Sequence, residues 1–300
     1  MIKLKEIINL LKPIKFIGDE NDSVNEVIQM DVNNTRQDVL FWVNSKNLHL
    51  LNKCSAGTVI TSIEFIKEGF VNASCNYILV ENPRIDFIKV LKNYFVRETG
   101  AIGISDRAII GKNVILGKNI SIAANTIIED DCVIGDNTVI GYNNVIHKKT
   151  IIGKNVTIGS NNIIGSTGFG YEKDKDGLYE MMPHIGNVLI NDKVEIGNNT
   201  CIDRAVLGST TIGENVKIDN LVHVAHGVKI GSNSLVIANV MIGGSTTIGE
   251  NVWVAPSVSI INKVNIGNNS VLGMSATVIR DVEEGSVVAG NPAKLLRKTT

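Results

Sequence analysis

From Ile104 onward an aliphatic residue returns at every sixth position: Ile110, Leu116, Ile122, Ile128, Ile134, Ile140, Ile146, Ile152, Ile158 and Ile164. Gly often follows it, as at Gly111, Gly117, Gly135 and Gly153. A small or β-branched residue stands four positions after it, as at Val114, Thr126, Thr138 and Val156. The pattern stops after Ile164, resumes at Ile190, Ile196 and Ile202, takes a four-residue insertion at 208–211, and then runs from Ile212 to Val278 without a slip. Six is neither the helix period nor the strand period. It fits a three-sided coil with one short strand per side and 18 residues per turn, and stacked coils would lie about 4.8 Å apart. The aliphatic residue and the residue four later face inward. Gly and Asn take the corners, where backbone angles suit few other residues. A β-sandwich has no reason to hold a strict period of six.

Residues 1–100 lack the repeat. Lys3 to Leu11 reads as a short helix, and Val39 to Val43 and Tyr77 to Val80 read as strands. Asn82-Pro83 has the form of a helix start, with Asn as cap and Pro in the first turn. Phe87, Ile88, Leu91, Tyr94 and Phe95 then follow helical spacing. The expected organisation is a small α+β domain over 1–100 and a mainly β, parallel β-helix domain over 101–289. That second domain has a loop excursion at 166–187, and a short tail follows over 290–300. The charged excursion from Tyr171 to Met182 is expected to lie against the cleft of a neighbouring subunit.

Composition narrows the function. Lys plus Arg is 29 and Asp plus Glu is 30, a net charge of -1, so no basic surplus exists to neutralise a nucleic-acid backbone. Aromatics are 5% of the chain against 44% hydrophobic, so the core is aliphatic. Ile and Asn are both well above ordinary usage, as β structure with many turns requires. No apolar run is long enough for a transmembrane helix. The opening residues lack a secretory pattern, and Cys54, Cys75, Cys132 and Cys201 are scattered without a CxxC pair. A cytoplasmic protein with reduced thiols is the expectation.

Phase within the coil then selects candidate chemistry. His226 is the third residue of the hexad that starts at Val224, so its imidazole points outward, and His223 is outward as well. Gly244 comes 18 residues after His226, one coil on, and should sit about 5 Å above it. A bare backbone N–H beside a potential base suits acyl transfer: the base takes a proton from the nucleophile and the N–H holds the oxyanion. Lys263, about one coil higher, could meet a phosphate or be an ordinary surface lysine. Asp219 could orient an imidazole or be a corner residue. His49, His147 and His184 read as ordinary surface or loop residues, too dispersed for a metal.

Ile218-Asp219-Asn220-Leu221-Val222-His223-Val224-Ala225-His226-Gly227-Val228 is similar to the catalytic signature of the UDP-sugar acyltransferases of lipid A synthesis. With Gly168-Phe169-Gly170-Tyr171, Pro183-His184-Ile185-Gly186 and Ile202-Asp203-Arg204, the chain resembles the UDP-3-O-(3-hydroxyacyl)glucosamine N-acyltransferase family. The resemblance extends to Phe41-Trp42-Val43-Asn44-Ser45-Lys46 and Ile78 to Pro83. It implies a left-handed β-helix, a handedness that runs against the usual crossover rule. It implies a homotrimer with three clefts, and transfer of a 3-hydroxyacyl chain from acyl carrier protein to the 2-amino group of a UDP-3-O-acylglucosamine. His226 would be the general base and Gly244 the oxyanion donor. Phe41 would stack on uracil and Asn44 would bond its edge, with strand core as the other reading of Phe41. His223, Asp219 and Lys263 would complete the substrate site, and no metal or dissociable cofactor is required. The chain departs from the family at Asn47, where a second aromatic is usual, and at Lys263, where a second histidine is frequent. Asn291-Pro292-Ala293-Lys294 is a finish common among acetyl-CoA-dependent hexapeptide transferases. An acetyl-CoA- or short-acyl-CoA-dependent transferase acting on a nucleotide-linked amino sugar is therefore the alternative, and a non-catalytic hexapeptide scaffold is a third reading.

Overall fold

The computed structural model describes residues 1–30, 36–44, 46, 49, 51, 54, 56–64, 74–96 and 103–299. The chain forms two compact units, Met1–Thr99 and Gly100–Thr300.

In the first unit a five-stranded sheet runs in the order Lys15–Ile17, Cys75–Val80, Gly57–Ser62, Val39–Trp42, Glu26–Val27. Only Lys15–Ile17 is antiparallel to its neighbour. Strand alternation splits the side chains between two faces. Leu40, Ile60, Ile78 and Val80 pack with Leu4, Ile7 and Leu11 of the helix Leu4–Leu11 and with Val90 of the helix Pro83–Val90. Val39, Phe41, Val59, Tyr77 and Leu79 form a second core on the other face. The Asn82 side chain caps the second helix, accepting from Ile85 N–H at 3.2 Å, with Pro83 in its first turn. Leu91–Phe95 continues it as a π-helical turn.

The second unit is a three-sided parallel β-helix. Its three sheets pair residues 18 apart, as in Ile127 with Val145, Val133 with Ile151 and Val139 with Thr157. The offset grows to 38 at Ile163 with Cys201, where the excursion leaves the coil, and to 22 at Cys201 with His223, which absorbs the insertion. Outside the interrupted hexad at Ile202, both inward positions of the hexads are buried, from Ile122 and Thr126 to Leu272 and Ala276. The excursion is an antiparallel hairpin of Tyr171–Lys173 with Tyr179–Met181. The tail does not simply leave the last coil: Lys294–Lys298 folds back antiparallel on Ser286–Ala289. It covers the end of one sheet, whose edge would otherwise expose unpaired N–H and C=O groups.

The corners divide their labour differently from the sequence expectation. Left-handed backbone falls three residues after the aliphatic one, as at Asn113 (φ 56°), Asn137 (φ 57°) and Asn233 (φ 60°). Asn tolerates that conformation and its side chains ladder from coil to coil, as from Asn137 to Asn155 at 3.2 Å. The Gly that follows the aliphatic residue serves close approach instead. A Cβ at Gly231 would lie 2.5 Å from the Gly249 carbonyl carbon.

Where the inner small position is polar, every group is matched. Asn162 is fully buried; its Nδ2 donates to the Gly197 carbonyl at 2.9 Å and its Oδ1 accepts from Thr200 N–H at 2.8 Å. Asn162→Ala leaves both backbone groups unpaired inside the coil, so a loss of about 2–4 kcal/mol in unfolding free energy is expected. Chemical denaturation of the full chain measures it, and a loss under about 0.5 kcal/mol would show that the ladder adds nothing.

Candidate active site

The coil that carries His226 is built around the irregular stretch of the repeat. A bulge at Gly165 (φ 87°) shifts the register between Ile163–Thr167 and Cys201–Arg204. Arg204, almost fully buried, donates from Nε to the Gly165 carbonyl at 2.6 Å and holds the bulge. Ser166 Oγ donates to Asp203 Oδ1 at 2.7 Å. The other carboxylate oxygen of Asp203 lies 3.7 Å from His223 Nε2. The insertion supplies the fully buried Thr210, whose Oγ1 accepts from Gly227 N–H at 2.8 Å and pins the corner next to His226.

The stacking of one coil on the next sets the central pair. Ser245 N–H donates to the His226 carbonyl at 2.9 Å, and Lys263 N–H to the Gly244 carbonyl at 3.0 Å. A Cβ built on Gly244 would lie 2.7 Å from His226 Nε2, so this nitrogen sits directly against the bare α-carbon. The flanking Gly243 and Ser245 N–H groups are committed to the Ile260 and His226 carbonyls. Among the described residues nothing accepts from Gly244 N–H. A ring nitrogen that can take a proton and an uncommitted N–H thus share one surface, the pairing that acyl transfer needs.

His184 completes the centre and corrects its reading as an ordinary loop residue. It is almost fully buried, and its ring meets that of His226 edge-on with centroids 5.1 Å apart. Gly168 admits both rings: a Cβ there would lie 2.8 Å from His184 Nε2 and 2.8 Å from His226 Cβ. His147 is a part-exposed corner residue, as its sequence reading has it, and its Nδ1 lies 3.2 Å from Glu129 Oε2. With Thr167, His184 and Arg204 these two side chains line a cleft of about 680 Å³. The signal for His184 was present in Pro183-His184-Ile185-Gly186, but spacing along the chain hid its convergence on His226.

The remaining candidates are dispersed. Asp219 Oδ1 accepts from Asn220 N–H at 2.7 Å and from Asn220 Nδ2 at 2.9 Å, a corner arrangement. The carboxylate beside His223 is Asp203. Lys263 is exposed at a left-handed corner (φ 63°). In the first unit Phe41 is 0% exposed, so stacking of its ring on a base is corrected to a core role; the strand turns it inward among Val39, Val59 and Tyr77. Trp42, one residue on, lines a cleft of about 570 Å³ with Asn44, Ser62, Asn82 and Arg84. That cleft lies at the carboxyl ends of the parallel strands, where open α/β sheets bind ligands. Asn47 lies outside the described residues. Among the described residues no three His, Cys, Asp or Glu side chains converge to hold a metal ion, and no helix is long and apolar enough to cross a membrane.

Burial, and then the neighbouring His184, press the His226 pKa below its ordinary value of 6.5, while Asp203 opposes them. The ring is therefore neutral, and competent as a base, at neutral pH. The acid limb of kcat/KM should lie below that ordinary value. Asp203→Asn removes the one opposing charge and should move the limb to still lower pH. A limb that moves up instead would sink this assignment. Because the folded pKa is depressed, the group's contribution to stability is present above the unfolded pKa and is lost as pH falls through the folded one.

Comparisons with known proteins bear on this centre. The bacterial transferase hexapeptide (six repeats) family matches residues 107–142, 209–244 and 245–280. The UDP-3-O-acylglucosamine N-acyltransferase of Protochlamydia amoebophila is 42% identical over 255 residues, 78% of this chain and 71% of that one. The enzyme of the same name from Caulobacter vibrioides is 52% identical over 132 residues, 44% of this chain. That match spans only 39% of the Caulobacter protein's length. A UDP-N-acetylglucosamine acyltransferase from Campylobacter jejuni shares the fold with a TM-score of 0.59 at 23% identity, over 65% of this chain and 75% of its own. The common architecture is the left-handed parallel β-helix.

Proposed function

Because the chain belongs to the UDP-3-O-acylglucosamine N-acyltransferase family, we propose that it acylates the 2-amino group of a UDP-3-O-acylglucosamine in lipid A biosynthesis. The observation that carries this reading is His226 Nε2 set against Gly244 with its uncommitted N–H. The acyl donor is a thioester, a 3-hydroxyacyl chain on acyl carrier protein. The amine nitrogen attacks the thioester carbonyl carbon while His226 Nε2 takes a proton from it. The carbonyl electrons move onto oxygen, and Gly244 N–H donates to that oxyanion. As the tetrahedral intermediate collapses, the C–S bond breaks and the imidazolium returns its proton to the leaving sulfur. No metal and no dissociable cofactor enter the sequence.

His223, beside Asp203, lies three residues before the base on the same side of the coil and serves the acceptor sugar. Lys263 serves a phosphate. The uridine belongs to the first unit, at the carboxyl ends of its parallel strands, with Asn44 among its contacts. The working assembly is a homotrimer in the cytoplasm, and the excursion hairpin lies against a neighbouring copy.

The test offers the purified protein UDP-3-O-(3-hydroxyacyl)glucosamine together with either 3-hydroxyacyl-acyl carrier protein or acetyl-CoA, and follows amide product by mass. Product with the carrier-protein donor alone is expected. Product with acetyl-CoA alone would overturn the donor, and no product with either would overturn the substrate.

A further inference from the structure

His184 poses a question that the reaction outlined above does not answer. Its Nδ1 lies 2.7 Å from the Met182 carbonyl oxygen. A carbonyl only accepts, so Nδ1 carries the hydrogen and the neutral ring presents Nε2 as a bare acceptor. That Nε2 is buried and has no hydrogen-bond partner. Leaving such an acceptor unmatched costs about 1–3 kcal/mol, so a donor is to be expected within its reach.

The adjacent ring has such a donor. A neutral imidazole carries one N–H, and His226 must keep Nε2 free to act as a base against Gly244. Its hydrogen is then on Nδ1. No described residue makes a hydrogen bond to the His226 ring. The two imidazoles meet edge-on with centroids 5.1 Å apart, close enough for a nitrogen of one to reach a nitrogen of the other after a small rotation. Asp219 is engaged with Asn220, and Asp203 with Ser166 and His223, so neither carboxylate is bonded to His226.

We propose that His184 is the positioning residue of the base: its Nε2 accepts the Nδ1–H of His226, fixing the tautomer that leaves His226 Nε2 free. The chain of bonds runs from His226 Nδ1–H to His184 Nε2, and from His184 Nδ1–H to the Met182 carbonyl. An imidazole thereby fills the orienting place that a carboxylate holds in a Ser-His-Asp triad. Gly168 is required at the junction because any side chain there would push the rings apart.

The proposal rests on the proposed function for its consequence, but its first test needs no substrate. Nitrogen-15 NMR of the full chain, with ¹⁵N-labelled histidine, reads the tautomer of each imidazole. The expected result is Nδ1–H on both His184 and His226. His184→Phe should shift His226 towards the Nε2–H form, and His184→Gln, whose amide oxygen accepts, should restore Nδ1–H. In turnover, His184→Phe should lower kcat roughly 10- to 100-fold with KM within about twofold, and His184→Gln should recover most of the loss. An Nε2–H tautomer on His226 in the unaltered protein overturns the proposal, as does a tautomer indifferent to His184→Phe. If His184→Phe does not fold, the unaltered protein's tautomer still decides. Absence of turnover with every donor, with the tautomers as expected, would remove the proposed function and leave the His184–His226 bond standing.

Discussion

His226→Ala should lower kcat by about 10²- to 10⁴-fold, the range lost when a general base is removed. The side chain points out of the coil and takes no part in the aliphatic core, so the variant should still fold, losing no more than the about 1–3 kcal/mol that leaving the buried His184 Nε2 without a donor costs. The two readouts separate chemistry from folding. Undiminished turnover in a folded His226→Ala protein would sink the catalytic assignment and return the scaffold reading.

Gly244→Ala is the sharper test, because it adds a single methyl group and removes nothing. The backbone at Gly244 is not in the left-handed region, so alanine meets no conformational penalty there. The new methyl would lie 2.7 Å from His226 Nε2 and 2.9 Å from its Cε1, inside any tolerable contact. The imidazole must swing away, carrying the base out of line with the N–H above it. A fall of at least about 10²-fold in kcat is expected, in the range of losing an oxyanion donor or displacing a base. Gly231→Ala provides the control. Its methyl would meet the Gly249 backbone at 2.5 Å, which cannot swing aside, so that variant should lose stability. Gly244→Ala with full activity would mean that Nε2 does not face the reacting atoms.

Both expectations draw on features that were legible at different depths. The period of six placed the coil, its inward positions and the outward phase of His226, because a repeat that buries one aliphatic residue per side leaves little freedom in register. The 18-residue offset by itself puts Gly244 over His226. Asn82-Pro83 was readable as a helix start because capping is a local matter between a side chain and the next turn's N–H groups. Phe41 was not readable in the same way. A strand side chain faces one of two sides, and which side is covered depends on what packs there. The corner glycines read from sequence as answers to backbone angle, whereas their role is clearance from the next coil, a distance that no local rule contains.

His184 marks the boundary most clearly. It lies 42 residues before His226 in a stretch with no period, beyond an excursion that breaks the coil count. Its burial, its lone acceptor and its contact with His226 exist only because the chain leaves the coil after Thr167 and rejoins it at Asn187. Asp203 in place of Asp219 has the same origin, since a bulge and an insertion change which coil sits beside which. By itself, then, the sequence determined the parallel β-helix, its register and the His226–Gly244 pair. These follow from periodic burial, which every coil repeats. Only the tertiary structure decided what surrounds the base, because those neighbours arrive where the period fails and contacts are set by the path of the chain.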